Sequence, residues 1–508
     1  MMKIMELMVS MAVHFVRSGC PATAMSRRAG LDVRWGKLLL VLLAGMSLSR
    51  LACAAADSEA TGPDTASTDN ATLSASPAVD GNVLGVAPAG SGLASNPWLV
   101  YGQYTNTYQW HPAFSAPGYN PHAQSLNPSN SGAQTNDATL YLGYRIDPDT
   151  EIWINPEYDQ GFGLSNTFGV AGYVSGEAYK VGAVNPYYRT SRLFIRKVFN
   201  LGGESQHIDA QMNQMAESRT ADNVIVTLGK FSVVDVFDTN TYAHDPRNDF
   251  LNWSIIDAGA FDYAADAWGY SYGGSVEWTQ SWWTLRSGIF DMPVVPNSEK
   301  LNENLSELEW VAEFEGREHW FVQPGKIKLL VFINHGNMGS YKDALQLAAQ
   351  TGTTPSTALV RRYASRPGVA LNIEQGLTPD LGLFARASLN GGNEEEFAFT
   401  DINQSFSSGL SLQGDRWGRA DDTVGLAGVV NGLSNAARNY FAAGGLGGII
   451  GDGSLPQYTG EAIVELYYAC HISAHITVTL DYQHINNPAY NAERGPVDVF
   501  GIRTHLVF

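Results

Sequence analysis

From Pro97 onward the chain alternates. In 98–110 the residues Trp98, Val100, Tyr104, Tyr108 and Trp110 fall on even positions, and Gln103, Thr105, Thr107 and Gln109 fall on odd ones. A period of two predicts a strand with one apolar and one polar face. Segment 138–147 repeats the pattern, with Leu140, Leu142, Tyr144 and Ile146 against Thr139, Tyr141, Gly143 and Arg145. Asp147-Pro148-Asp149-Thr150 has the composition of a tight turn. Segment 151–159 resumes, with Ile152, Ile154 and Tyr158 opposite Glu151, Asn155, Glu157 and Asp159. The same reading predicts further strands near 190–200, 223–231, 268–279, 282–291, 306–315, 325–335, 367–375, 380–389, 405–413, 422–431, 460–471, 475–485 and 496–508. Long and short connections alternate, and 201–222 is the one overlong member of the short set. Membrane barrels have short turns on one side, long loops on the other and strands of ~10 residues. Soluble sandwiches have no reason to sort loops by side, and their strands average about 5–6 residues. The expectation for 96–508 is therefore all-β: a transmembrane antiparallel β-barrel of about sixteen strands, apolar outside and polar inside.

The first 95 residues read differently. Arg27, Arg28, Arg34 and Lys37 precede an apolar run at Leu38–Leu48, and Ala52–Ala56 offers small residues for cleavage. This is the layout of a secretory signal peptide, predicted over 1–56, with Met25 as a candidate true start. Arg50 stands where a lipoprotein site at Cys53 would need an aliphatic residue. Residues 57–95 are rich in Ala, Ser, Thr and Gly, cannot bury a core and predict a disordered leader. Across the 508 residues, 31 Lys and Arg face 50 Asp and Glu, for a net charge of −19. An acidic chain without a basic stripe excludes nucleic acid as a partner. Three cysteines cannot build a disulfide framework, and only Cys470 lies in the barrel region.

The ends and inner segments of the barrel region carry recognisable runs. They include Trp153-Ile154-Asn155-Pro156-Glu157, Gly176-Glu177-Ala178-Tyr179-Lys180-Val181-Gly182, Arg192-Leu193-Phe194-Ile195-Arg196 and Tyr242-Ala243-His244-Asp245-Pro246-Arg247. Asp249-Phe250-Leu251-Asn252-Trp253, Asp262-Tyr263-Ala264-Ala265-Asp266-Ala267-Trp268-Gly269-Tyr270, Asn487-Pro488-Ala489-Tyr490-Asn491 and Arg494-Gly495-Pro496-Val497 follow. Together they resemble the carbohydrate-selective outer-membrane porins of the OprB type, over nearly all of 97–508. The resemblance implies a sixteen-stranded barrel in the bacterial outer membrane that conducts monosaccharides such as glucose by passive diffusion. It implies no enzymatic activity and no cofactor. Outer-membrane lipid and lipopolysaccharide would surround it. The terminal Phe508, on an amphipathic last strand with Phe500, Ile502 and Leu506, resembles the signal read by the barrel assembly machinery.

A neutral sugar offers hydroxyl pairs and apolar faces, so a selective pore needs planar polar groups and aromatic rings in a constriction that binds weakly. The longest connection, 232–267, is the third long loop, and in general porins that loop folds into the lumen. Its candidates are Asp245, Arg247, Asp249, Asn252, Trp253 and Asp257, with Trp268 just beyond. The plainer reading is a solvated loop whose Asp and Asn residues serve turns. Lumen parity adds Arg192, Arg196, Glu277 and Arg286, which could set a transverse field across the pore or simply be wet. Glu394-Glu395-Glu396 reads as a solvated loop rather than a glycosidase pair. His471 and His475 flank a turn and share no helical face, so no metal site is expected. The competing functions are a barrel exporting a polysaccharide and a secreted sugar-binding or glycoside-active β protein. On the barrel reading, a cysteine introduced at Pro148 should escape an impermeant thiol reagent on intact cells, and one within 336–366 should react. Labelling in the opposite sense would remove the barrel assignment.

Overall fold

The computed structural model describes residues 96–508, apart from Tyr179 and Thr400. The predicted signal peptide, the Met25 start and the leader 57–95 lie outside the described residues. The chain forms sixteen strands: β1 (Trp98–His111), β2 (Ser131–Asp147), β3 (Thr150–Gly161), β4 (Ala183–Ile208), β5 (Glu217–Phe231), β6 (Ser271–Gln280), β7 (Trp283–Asp291) and β8 (Leu308–Phe321) in the first half. The second half adds β9 (Gln323–Gly339), β10 (Arg361–Thr378), β11 (Leu381–Asn390), β12 (Gln404–Gln413), β13 (Thr423–Gly432), β14 (Glu461–Ser473), β15 (Ile476–Asn486) and β16 (Val497–Val507). Each pairs with its sequence neighbour, and β1 pairs antiparallel with β16 to close the barrel. Closure leaves no strand edge to satisfy in hydrocarbon. No helix among the described residues is long and apolar enough to cross a membrane.

The seam closes on the last residue. Gly102 and Phe508 exchange both backbone hydrogen bonds, at 2.7 and 2.9 Å. The Phe508 ring lies where a side chain at position 102 would stand, so Gly102 lets the ring pack flat on the seam. The outward faces carry Val100, Leu140, Ile154, Leu193, Trp310, Leu426, Leu480 and Phe500, all exposed, as a lipid-facing band requires.

Several strands are longer than their hydrophobic alternation. β2 begins at Ser131 rather than near 138, β4 covers 183–208 rather than 190–200, and β10 covers 361–378 rather than 367–375. The connection expected at 316–324 shrinks to Val322 alone. Alternation marks only the part of a strand that meets lipid. Beyond that band both faces are wet, the pattern fades, and backbone pairing continues.

The long loops all leave from one rim. The longest joins β5 to β6 and runs down into the lumen. A short helix, α1 (Trp253–Ile256), caps its inner turn, with the Asn252 side chain accepting from the Ser254 amide. Strand side chains from much of the inner wall hold this loop. Arg386 of β11 pairs with Asp238 at 3.1 Å and donates to the carbonyls of Asp238, Ala243 and Ile255. Glu374 of β10 accepts the amide and hydroxyl of Thr241 at 2.7 and 2.9 Å. Glu313 of β8 takes the Asp238 amide, and Glu465 of β14 takes those of Leu251 and Asn252. Arg366 of β10 pairs with Asp262, and Arg503 of β16 donates to the Asp249 carbonyl. Beneath these contacts Phe237, Phe290 and Phe231 meet edge to face.

Arg386 and Asp238 are both fully buried, so breaking the pair by Arg386→Ala should weaken the loop's anchorage by about 3–5 kcal/mol. The barrel should still assemble, while the loop becomes protease-sensitive and the channel current noisy. A quiet, protease-resistant variant would show that other anchors suffice. A second outcome concerns pH. Burial, with Asp245 adding to it, pushes the Asp249 carboxyl up to about 6 against the bonds it accepts from the Asp245 and His244 amides. The folded loop therefore prefers protonated Asp249. That stability is complete below the unfolded value of about 3.9 and is lost as pH rises through about 6. Current noise should fall as pH drops from 7 towards 4, and Asp249→Asn should flatten that dependence.

Candidate functional site

Loop 232–270 also meets the β2–β5 wall, where the Arg189, Arg192 and Arg247 side chains keep 10%, 12% and 14% of their surface exposed. A bulge in β4 prepares it. Pro156 of β3 has no amide to donate, and across from it the register slips between Asn155↔Arg192 and Pro156↔Thr190. Ser191 is the extra residue, and its hydroxyl bonds the Asn155 carbonyl at 3.1 Å. The slip turns both Arg189 and Arg192 inward, although their spacing would put them on opposite faces of a regular strand.

The three guanidinium groups of this wall are each pinned by carboxylates. Arg189 bonds Glu157 and Asp159. Arg192 makes a two-pronged contact with Asp235, at 2.6 and 2.7 Å. Arg247, from the inserted loop, lies 3.2 Å from Asp137 and 3.5 Å from Glu177. Burial alone would lower the Arg247 pKa, but Glu177 and Asp137 reverse this and hold it well above its ordinary value. Burial, helped by Asp137, pushes Glu177 well above the usual carboxyl range, against the pull of Arg247. The carboxylates are cross-linked in turn by neutral groups, with Thr139 donating to Glu157 at 2.9 Å and Gln103 donating to Asp137.

Aromatic faces complete the wall. The Arg189 guanidinium lies 4.8 Å from the Tyr270 ring centre and 5.8 Å from that of Trp268. Arg192 lies 5.0 Å from Tyr270. The Trp268 indole N–H donates to the Tyr187 hydroxyl at 2.9 Å. Guanidinium groups therefore lie over the Tyr270 and Trp268 rings, in one cluster that combines N–H donors with aromatic surface.

The residues singled out from sequence fall into three places. Arg192, Arg247 and Trp268 belong to this wall. Asp245, Asp249, Asn252, Trp253 and Asp257 build the inserted loop itself. Asp245 accepts from the Arg247 amide and the Asn248 side chain. Asn252 is 0% exposed and reaches the Gly172 carbonyl and Gln483. Trp253 is 4% exposed, within 5.7–6.3 Å of the Tyr173, Phe399 and Tyr263 rings. Asp257 is buried, with a carboxyl oxygen that has no hydrogen-bond partner among the described residues. Burial, then Asp238, raises its pKa well above the usual range. Arg196, Glu277 and Arg286 lie lower, towards the short-turn rim. Arg196 bonds Glu151 and Glu217, and Arg286 bonds Glu277, Glu313 and Glu315. The basic and acidic lumen residues thus pair as neighbours instead of forming two opposed walls. Arg189, Tyr187 and Tyr270 were missed from the sequence. The signal was Pro156 in mid-strand, which marks a bulge opposite and so a change of parity.

The family model described as carbohydrate-selective porin, OprB family, matches residues 123–508. Among solved structures, OprB of Pseudomonas putida is similar at 15% identity and a TM-score of 0.62, covering 81% of this chain and 94% of that one. The outer-membrane channel DcaP of Acinetobacter baumannii is similar at 9% identity and a TM-score of 0.44, covering 81% and 97%. A search of curated proteins finds no sequence match. The match over 123–508 and the closed sixteen-stranded barrel together place the chain in the OprB family of carbohydrate-selective porins, channel-forming proteins of the outer membrane.

Proposed function

We propose that this porin passes monosaccharides such as glucose by passive diffusion into the periplasm, and that the Arg189–Arg192–Arg247 wall is where it recognises them. The observation that supports the reading is the juxtaposition of carboxylate-fixed guanidinium groups with the Trp268 and Tyr270 rings. A guanidinium edge donates to two vicinal hydroxyls at once. A ring face takes the C–H side of the same sugar. Because each guanidinium is already pinned, little side-chain entropy is lost on contact. Affinity stays modest because water competes at an open wall, as a conducting pore needs. Asp245, Asp249, Asn252, Trp253 and Asp257 serve by holding the loop that faces this wall. Arg196, Glu277 and Arg286 line the path below it. The Phe508 strand would be the segment offered to the barrel assembly machinery.

The test is single-channel current in planar bilayers with glucose titrated as a reversible blocker. Arg189→Ala and Trp268→Ala should each weaken glucose block by about tenfold, equivalent to ~1.4 kcal/mol. Asp257→Asn should leave it near the parent value. If the first two variants bind glucose like the parent while Trp253→Ala does not, recognition belongs to the body of the loop and not to the β3–β4 wall.

A further inference from the structure

The short-turn rim carries a second inserted element. Pairing of β3 with β4 ends at Thr150↔Lys197, and pairing of β5 with β6 ends at Asn223↔Thr279. Residues 201–222 therefore pair only with one another, as a hairpin outside the barrel ladder. A straight hairpin of that length would stand out in the periplasm. This one does not. Its register breaks at Gly202, and Gly202 and Gly203 take φ of +136° and +87°, a backbone path that favours glycine.

Beyond the glycines the contacts climb the inner wall. Glu217 bonds Arg196 at 3.0 and 3.1 Å. The Met215 amide donates to Glu151 at 2.9 Å, and Arg145 donates to the Ala216 carbonyl at 2.6 Å. The Asn155 side chain donates to that of Asn213 at 2.8 Å. Glu151, Asn155 and Arg196 all face inward, since their neighbours Ile152, Ile154 and Ile195 face lipid. Asn155 stands five residues up β3 from Thr150, roughly 16 Å along the strand at about 3.3 Å per residue, and so roughly 13 Å into the barrel at a strand tilt of about 40°. There Met215 is buried in the cluster that holds Tyr141, Trp153 and Phe194. Gly143 opposite Trp153 leaves the space its indole fills, which keeps the wall beneath the tip flat.

We propose that the infolded hairpin 201–222 is a second constriction of the channel. It narrows the periplasmic exit as the β5–β6 loop narrows the passage from outside. A solute leaving the Arg189 wall then passes the hairpin with Glu277, which is in electrostatic reach of both Arg196 and Arg219. The proposal rests on the barrel being a pore and not on which sugar it prefers.

The test is single-channel conductance in potassium chloride. A chain with 203–221 replaced by Asn-Gly should conduct about twofold more than the parent, because a narrow segment in series limits the current. If that chain does not assemble, Glu151→Ala combined with Asn155→Ala removes two of the tip's strand partners, and its conductance should rise in the same direction. Cysteines at Asn155 and Asn213, in a background without other cysteines, should be joined by a short bifunctional thiol reagent in the membrane. Parental conductance in the shortened or released variant, or no cross-link between 155 and 213, would overturn the proposal. Salt current reads the series resistance of the channel and not sugar recognition, so the result stands whether or not Arg189→Ala changes glucose block.

Discussion

A loop folded into a barrel carries backbone amides into a place with no sheet edge to pair with. That constraint organises the lumen of this protein. The answer is a set of strand carboxylates used as acceptors. Glu313, Glu374 and Glu465 take amides of the β5–β6 loop. Glu461 takes those of Ala171, Gly172 and Ala489 from two other loops. A hydrogen bond to a charged group contributes about 1.5–3 kcal/mol, against about 1–3 kcal/mol lost if the buried amide is left alone. Carboxylates suit the task because one accepts two amides at once, as Glu465 does from Leu251 and Asn252. The acidic excess of the chain is in part this scaffold.

The loop is held from both sides of the lumen. Anchors on β8, β10, β11, β14 and β16 are matched on β2, β4 and β5 by Asp137 to Arg247, Arg192 to Asp235, Tyr187 to Trp268 and Lys230 to Asp266. The Ser191 bulge turns an additional arginine inward on β4. The guanidinium groups and rings stand where the loop meets β2–β5. The infolded hairpin continues from the same strands, since it is the extension of β4 and β5.

Much of the fold was legible in the sequence. Each predicted strand corresponds to one of the sixteen, because a lipid-facing band forces strict alternation. The third long loop enters the lumen as expected. The site was legible only in part. Trp253, Asn252 and Asp249 have the composition of a binding site, yet in place they are the loop's core and turn residues. Composition cannot distinguish a ring facing a pore from one facing Phe399. Arg189 lies outside the strand that alternation predicts at 190–200, and the slip opposite Pro156 gives it a face that counting back from Arg192 would not. The length of 201–222 was visible, but its direction depends on φ at Gly202 and Gly203, which composition permits without dictating.

The charge arrangement of the β2–β5 wall bears on what it can admit. An isolated row of arginines would concentrate anions and repel cations. Here Arg189, Arg192 and Arg247 each face at least one carboxylate within hydrogen-bonding or ion-pair distance. Five carboxylates face these three guanidinium groups, so the wall carries no cationic excess and the arginines act mainly at contact range. Pairing removes the long-range pull on anions that an unpaired arginine row would exert, and leaves hydrogen bonds and ring contacts, which act only at close range, as what the wall offers a solute.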